Sequence, residues 1–220
     1  MLFAHFSKLV GAVGCSLILG ACSAAPPASA GSFEGVIAGS GETGIMNLSI
    51  DDTPDPETGS LPAFGHMETA AANPYVSTVT GALEEPSPSL SAHADGGGYA
   101  FEGTSSGDLL VGTYRRYSAV DGAFALINTS QGPITRLCGS MSGARGGTIA
   151  LAMASSGMAV AAMFLASGKA VVLQGSSDGV SASLQGDSGH LSGSIHDGKA
   201  TGEWAIGADV GTWTATPCVP

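Results

Sequence analysis

Two segments late in the chain place a glycine two residues before a tryptophan on one face of an alternating pattern, and this limits the fold more than any other feature. In Lys199 to Ile206, Ala200, Gly202, Trp204 and Ile206 share one face, while Lys199, Thr201, Glu203 and Ala205 share the other. The next segment repeats the arrangement, with Gly211, Trp213 and Ala215 set against Val210, Thr212, Thr214 and Thr216. Antiparallel pairing of the two would lay each indole over its neighbour's glycine and let the sheet coil. Helix starts are scarce: Thr53-Pro54 could open one, but Pro56 and Gly59 follow too closely to sustain it. From Phe33 onward the text is β-like, and Asp95-Gly96, Asp121-Gly122, Asp178-Gly179 and Asp197-Gly198 read as four hairpin turns.

The glycine-aromatic phrase occurs twice. Gly103, Gly112, Tyr114, Gly122 and Phe124 match Gly193, Gly202, Trp204, Gly211 and Trp213 at offsets of 89 or 90 residues. Gly31-Ser32-x-x-Gly35 also matches Gly139-Ser140-x-x-Gly143, at an offset of 108. The chain is therefore read as two related β halves, 33–128 and 137–218. The difference in offset places about 18 extra residues in the first half, and the proline-rich acidic stretch Asp51 to Pro62 is their natural position.

Thr148 to Ser167 carries no charge and is rich in Ala, Met and Leu. Periodicity alone leaves a buried helix or a membrane span open. Ser155-Ser156-Gly157 interrupts the run, however, and Ile149, Leu151 and Met153 alternate with small residues. A hairpin is favoured, with strands buried on both faces.

The N-terminus sets the expected compartment. Lys8 precedes the apolar run Leu9 to Leu19, which is too short to span a bilayer. Leu19-Gly20-Ala21-Cys22 closes that run and resembles the lipobox of bacterial lipoproteins. The resemblance implies a signal peptide over 1–21, cleavage before Cys22, and lipidation (diacylglycerol and an acyl chain such as palmitate) of Cys22. With Ser23 in the next position, it also implies sorting to the outer membrane. An ordinary signal peptide cut after Ala28-Ser29-Ala30 is the alternative. Residues 22–32 are small residues and prolines after the cysteine, which makes them a flexible tether.

Cys15 leaves with the leader and Cys22 is taken by lipid, so Cys138 and Cys218 are left to form a disulfide closing the second half. All eighteen acidic residues but only six of the seven basic ones follow Cys22. This acidity argues against nucleic acid as a partner and against attachment through a basic face, leaving acyl chains as the membrane contact. The charge reads as thinly spread.

The catalytic motifs lack their context. Gly186-Asp187-Ser188-Gly189 resembles the nucleophile loop of chymotrypsin-like serine proteases, but His66 does not sit in that family's histidine motif, and His190 replaces the following glycine. Ser105 and Ser177 each sit in G-x-S-x-G, a pattern that needs a strand-to-helix turn, and neither is followed by a helix start. Gly39 to Gly44 lacks the lysine of a phosphate loop, and its Glu42 would repel phosphate. Asp51, Asp52, Asp55 and Glu57 could attract Ca²⁺, but Pro54 and Pro56 disrupt EF-hand spacing. His190 and His196 share a face only if one strand carries both. Tyr114-Arg115-Arg116-Tyr117 combines residue types favoured at protein interfaces and is the candidate partner contact.

The expectation is an all-β antiparallel meander of two related halves coiled into a barrel or sandwich. It is anchored by lipid to the cell envelope, with no cofactor, no metal and no enzymatic role, and it binds an envelope protein partner or serves as structure. A β-barrel carrier of a small apolar ligand is the alternative, and a serine hydrolase the third reading.

Overall fold

The alternating segments close into two eight-stranded antiparallel barrels in the computed structural model, which describes residues 30–70, 74–96, 98–117, 119–143 and 145–218. The first comprises β1 (Gly31–Gly39), β2 (Glu42–Ile50), β3 (Leu61–Thr69), β4 (Tyr75–Glu84), β5 (Ser89–Ala94), β6 (Tyr99–Ser106), β7 (Leu109–Arg116) and β8 (Ala119–Asn128). One 3-10 turn, Thr129–Gln131, leads to the second. That barrel comprises β9 (Ile134–Gly143), β10 (Gly147–Ala154), β11 (Met158–Leu165), β12 (Ala170–Ser177), β13 (Ser181–Gly186), β14 (Gly189–His196), β15 (Lys199–Ile206) and β16 (Asp209–Pro217). Each is an up-and-down meander, closed by β1 against β8 or by β9 against β16. Closure removes the exposed edges on which strands aggregate.

The glycine-aromatic pairs set the curvature. Trp204 pairs with Gly211 and Gly202 with Trp213, as the sequence pattern predicts. A Cβ on Gly202 would stand 1.9 Å from the Ser192 carbonyl oxygen and 2.7 Å from the Trp213 indole nitrogen, so only glycine fits beneath that ring. In the first barrel Gly112 pairs with Phe124 and Tyr114 with Gly122 in the same way.

Strand pairing corrects the second repeat offset. Gly35 lies opposite Leu126, two residues beyond Phe124, and Gly139 lies opposite Ala215, two beyond Trp213. Gly35 therefore corresponds to Gly139, and the Gly-Ser match at 108 was four residues out of register. The connection Asp51–Ser60 has ten residues where its counterpart Ser155–Gly157 has three, so it carries only part of the first half's extra length. Asp121-Gly122 is also not a turn. It lies inside β8, where a Cβ on Gly122 would fall 2.3 Å from the Tyr114 ring, and the chain reverses instead at Tyr117, with φ 65°.

Thr148 to Ser167 forms the β10–β11 hairpin. Its large side chains (Ile149, Leu151, Met153, Met163) fill the second barrel. Its small ones (Ala150, Ala152, Ala154, Ala162) pack against Val36, Ala38, Ala123, Ala125 and Ile127 of the first. Alanine on both surfaces lets the two sheets approach closely, so these four strands are buried on both faces. Thr148 Oγ1 donates to the Gly39 carbonyl at 2.7 Å across this seam, and Arg136 donates to Asn47 Oδ1 at 3.1 Å with Glu34 3.6 Å away.

The Cys138–Cys218 disulfide is present and joins β9 to the residue following β16. It clamps the strand pair that closes the second barrel. Closing a loop of this length restricts the unfolded chain by about 4 kcal/mol on the entropy model.

Candidate functional site

The strongest buried polar feature sits inside the first barrel, at the end away from residue 31. Glu42 begins β2, and the strand's alternation (Glu42, Gly44, Met46, Leu48, Ile50) points it inward, leaving it 6% exposed. Tyr114 donates to Glu42 Oε1 at 2.9 Å, and Tyr99 donates to Oε1 at 3.2 Å and Oε2 at 3.1 Å. The carboxylate thereby ties β2 to β6 and β7. Burial pushes the Tyr114 and Tyr99 hydroxyls far above their usual range, and the adjacent Glu42 charge adds to this. Arg116 lies 5.2 Å from the centre of the Tyr99 ring, and Tyr75 stacks on Tyr99 with centroids 5.5 Å apart. In the sequence Glu42 stands out only as a residue hostile to phosphate. The inward parity of β2 was the signal that could have found it.

Of the four residues singled out as a partner contact, Tyr114 is fully buried in the core and presents nothing to a partner. Arg115 is exposed and pairs with Glu102 at 3.3 Å, whereas Arg116 sits on the Tyr99 ring. Tyr117 is 84% exposed at the tip of the β7–β8 hairpin, with Val120 beside it. The exposed set is therefore Arg115, Arg116 and Tyr117.

The serine loops are strands and turns. Ser105 lies in β6 with its hydroxyl buried and unpaired among the described residues, and Ser177 Oγ donates to the Ser181 carbonyl at 2.7 Å. Ser188 lies in the β13–β14 turn of the second barrel, while His66 lies on β3 of the first, 3.2 Å from Asn47 Nδ2. His190 and His196 do share the outer face of β14, six residues apart and too distant along one strand to hold one ion. Among the described residues no three His, Cys, Asp or Glu side chains group as a metal site.

The acidic loop Asp51–Ser60 uses its carboxylates on its own backbone. Asp51 Oδ1 accepts from Thr53 N, and Asp55 Oδ1 accepts from Glu57 N and Thr58 N, both at 2.9 Å. The bonds from Thr58 and Glu57 hold the Asp55 carboxyl below the usual carboxylate range. In the second barrel the amides of Ser181 and Val180 lower Asp178 in the same way. The charge is far from evenly spread: the first barrel carries thirteen acidic residues and two arginines, the second five acidic and four basic residues.

Both barrel interiors are filled. Trp204 and Trp213 are each about 1% exposed, and their indole N–H groups donate to Ser142 and Ser192 carbonyls at 3.1 Å. Phe33, Phe101, Phe124 and Met46 fill the first barrel, with Phe101 against both Tyr99 and Tyr114. Cys22 and the leader lie outside the described residues. A scan against protein-family models found no match, and searches of curated proteins and of solved structures returned no similar chain.

Proposed function

We propose that this chain is a lipid-anchored protein of the cell envelope that works through its outer surfaces, as a non-enzymatic binding or structural component. The observation that carries this reading is the packing of both barrels: side chains occupy the interior space that a carrier of an apolar ligand would need. Ser105, Ser177 and Ser188 sit in strands and turns, and among the described residues the Ser105 hydroxyl has no partner and the Ser177 hydroxyl donates to a main-chain carbonyl. The exposed Arg115, Arg116 and Tyr117 at one hairpin tip are the candidate partner contact. The lipobox resemblance at Leu19 to Cys22 supplies the anchor, with the outer membrane as its destination.

Mass spectrometry of the mature protein tests the anchor, with an acylated N-terminus at Cys22 expected and release from membranes in Cys22→Ala. An unmodified start at Gly31 would overturn it. Native mass spectrometry of the purified protein tests the surface reading. No stoichiometric apolar ligand should accompany it, and a retained lipid of defined mass would revive the carrier alternative.

A further inference from the structure

The two barrels end differently on the side where β1 and β9 begin. In the first, the inward-facing residues nearest that end (Ile50, Leu61, Leu90 and Ser105) are all buried. In the second, Ile195 occupies the position equivalent to Ser105, since Gly103–Gly112 and Gly193–Gly202 are matching pairs, and it is only partly buried. A cleft of about 590 Å³ opens at this residue, lined by Met153 and Ile195 together with Thr135, Ser155, Ser177 and Asp178. The short turn Ser155–Gly157 leaves this mouth uncovered. Its volume falls in the range of small-molecule sites, which pair an apolar floor with a few polar groups.

Charge selects the ligand class. Among the described residues Asp178 is the only charged residue lining the cleft, with no lysine or arginine beside it. Its Oδ1 accepts from the amides of Val180 and Ser181 at 2.9 and 2.6 Å and from Ser181 Oγ at 3.0 Å, which holds the carboxylate in one orientation. We propose that this mouth of the second barrel binds a small amphiphilic cation, its apolar body resting on Met153 and Ile195 and its protonated amine at Asp178. The proposal rests on the preceding section only in giving the chain a binding role, and it needs neither the anchor nor the hairpin tip.

Cyclohexylamine, cyclohexanol and cyclohexanecarboxylate share one apolar body and differ in head group, and each can be titrated into the labelled mature protein while amide shifts are followed by NMR. Saturable shifts at Gly157, Gly179 and Ile195 are expected with the amine, about fivefold tighter than with the alcohol, as one solvent-screened charge pair allows. The carboxylate should give none. Asp178→Asn keeps the turn-forming acceptor and should reduce the amine to the affinity of the alcohol, while Ile195→Thr should weaken both. The proposal fails if no probe saturates, if the carboxylate binds as well as the amine, or if Asp178→Asn leaves the preference intact. None of these results bears on Cys22, so the anchor's failure would be read separately.

Discussion

The two barrels share strand number, register and glycine-aromatic pairs, yet they solve the problem of the barrel end in opposite ways. The first barrel buries Glu42 where β1 turns into β2, whereas the corresponding β9–β10 connection of the second carries Arg145, which lies outside at 3.3 Å from Asp209. Where the first uses Tyr114 to reach that carboxylate, the second uses Trp204, whose N–H finds a backbone carbonyl. One interior is therefore keyed by a buried charge with matched donors, and the other by indoles that need only main chain. Charge follows the same division. Seven of the first barrel's carboxylates (Asp51, Asp52, Asp55, Glu57, Glu84, Glu85 and Asp108) lie in or beside the connections at the end where β1 starts. Two closed sheets of like register thus share a shape while their ends and surfaces differ.

The glycine beneath the indole should be the least tolerant position. Gly202→Val drives side-chain atoms into backbone and the Trp213 ring, and should cost more than about 4 kcal/mol or abolish folding, as Gly112→Val should in the first barrel. Gly207, in an open turn, provides the contrast: Gly207→Asn should cost less than about 1 kcal/mol in a denaturant titration. Equal tolerance at the two sites would break the shared-register account. Removing the seam clamp should follow in size, with Cys138→Ser lowering stability by about 2 to 5 kcal/mol and exposing amides of β9 and β16 to hydrogen exchange before those of the first barrel.

The end-group contrast predicts a smaller, asymmetric effect. Glu42→Leu strands two tyrosine hydroxyls and should cost about 2 to 4 kcal/mol, whereas Arg145→Ala removes a solvent-exposed pair and should cost under about 1 kcal/mol by thermal unfolding. Adding Tyr99→Phe and Tyr114→Phe to Glu42→Leu should recover most of the loss, because no unpaired partner then remains. Ser105→Ala should be the mildest change, stabilising by up to about 1 kcal/mol, since its buried hydroxyl has no partner among the described residues. A destabilised Ser105→Ala, or labelling of Ser105 by a serine-directed probe, would point to a role for that hydroxyl.

Sequence periodicity revealed more than composition did. Trp204 and Trp213 with their glycines fixed parity and pairing, and the alternation of large residues with alanine in Thr148 to Ser167 marked strands buried on both faces. The registers that misled were those resting on small residues alone. Gly31-Ser32 and Gly139-Ser140 match by chance, because glycine and serine carry no parity signal. Asp121-Gly122 resembles a turn because dipeptide chemistry is local, while the need for Gly122 comes from the Tyr114 ring eight residues earlier in the chain. Tyr114 passes in the sequence for part of an exposed contact because alternation assigns faces without saying which face is inside. Glu42 was missed because burial of a carboxylate depends on Tyr99 and Tyr114, 57 and 72 residues away.

The central claim, that the barrel interiors are filled by side chains, can be read from the two tryptophans, both of which lie inside the second barrel. Fluorescence of the mature protein should show blue-shifted emission that acrylamide quenches little and that a long-chain alcohol or fatty acid does not change. Ready quenching, or a saturable shift on adding an apolar ligand, would mean that the interior is accessible and would contradict the account.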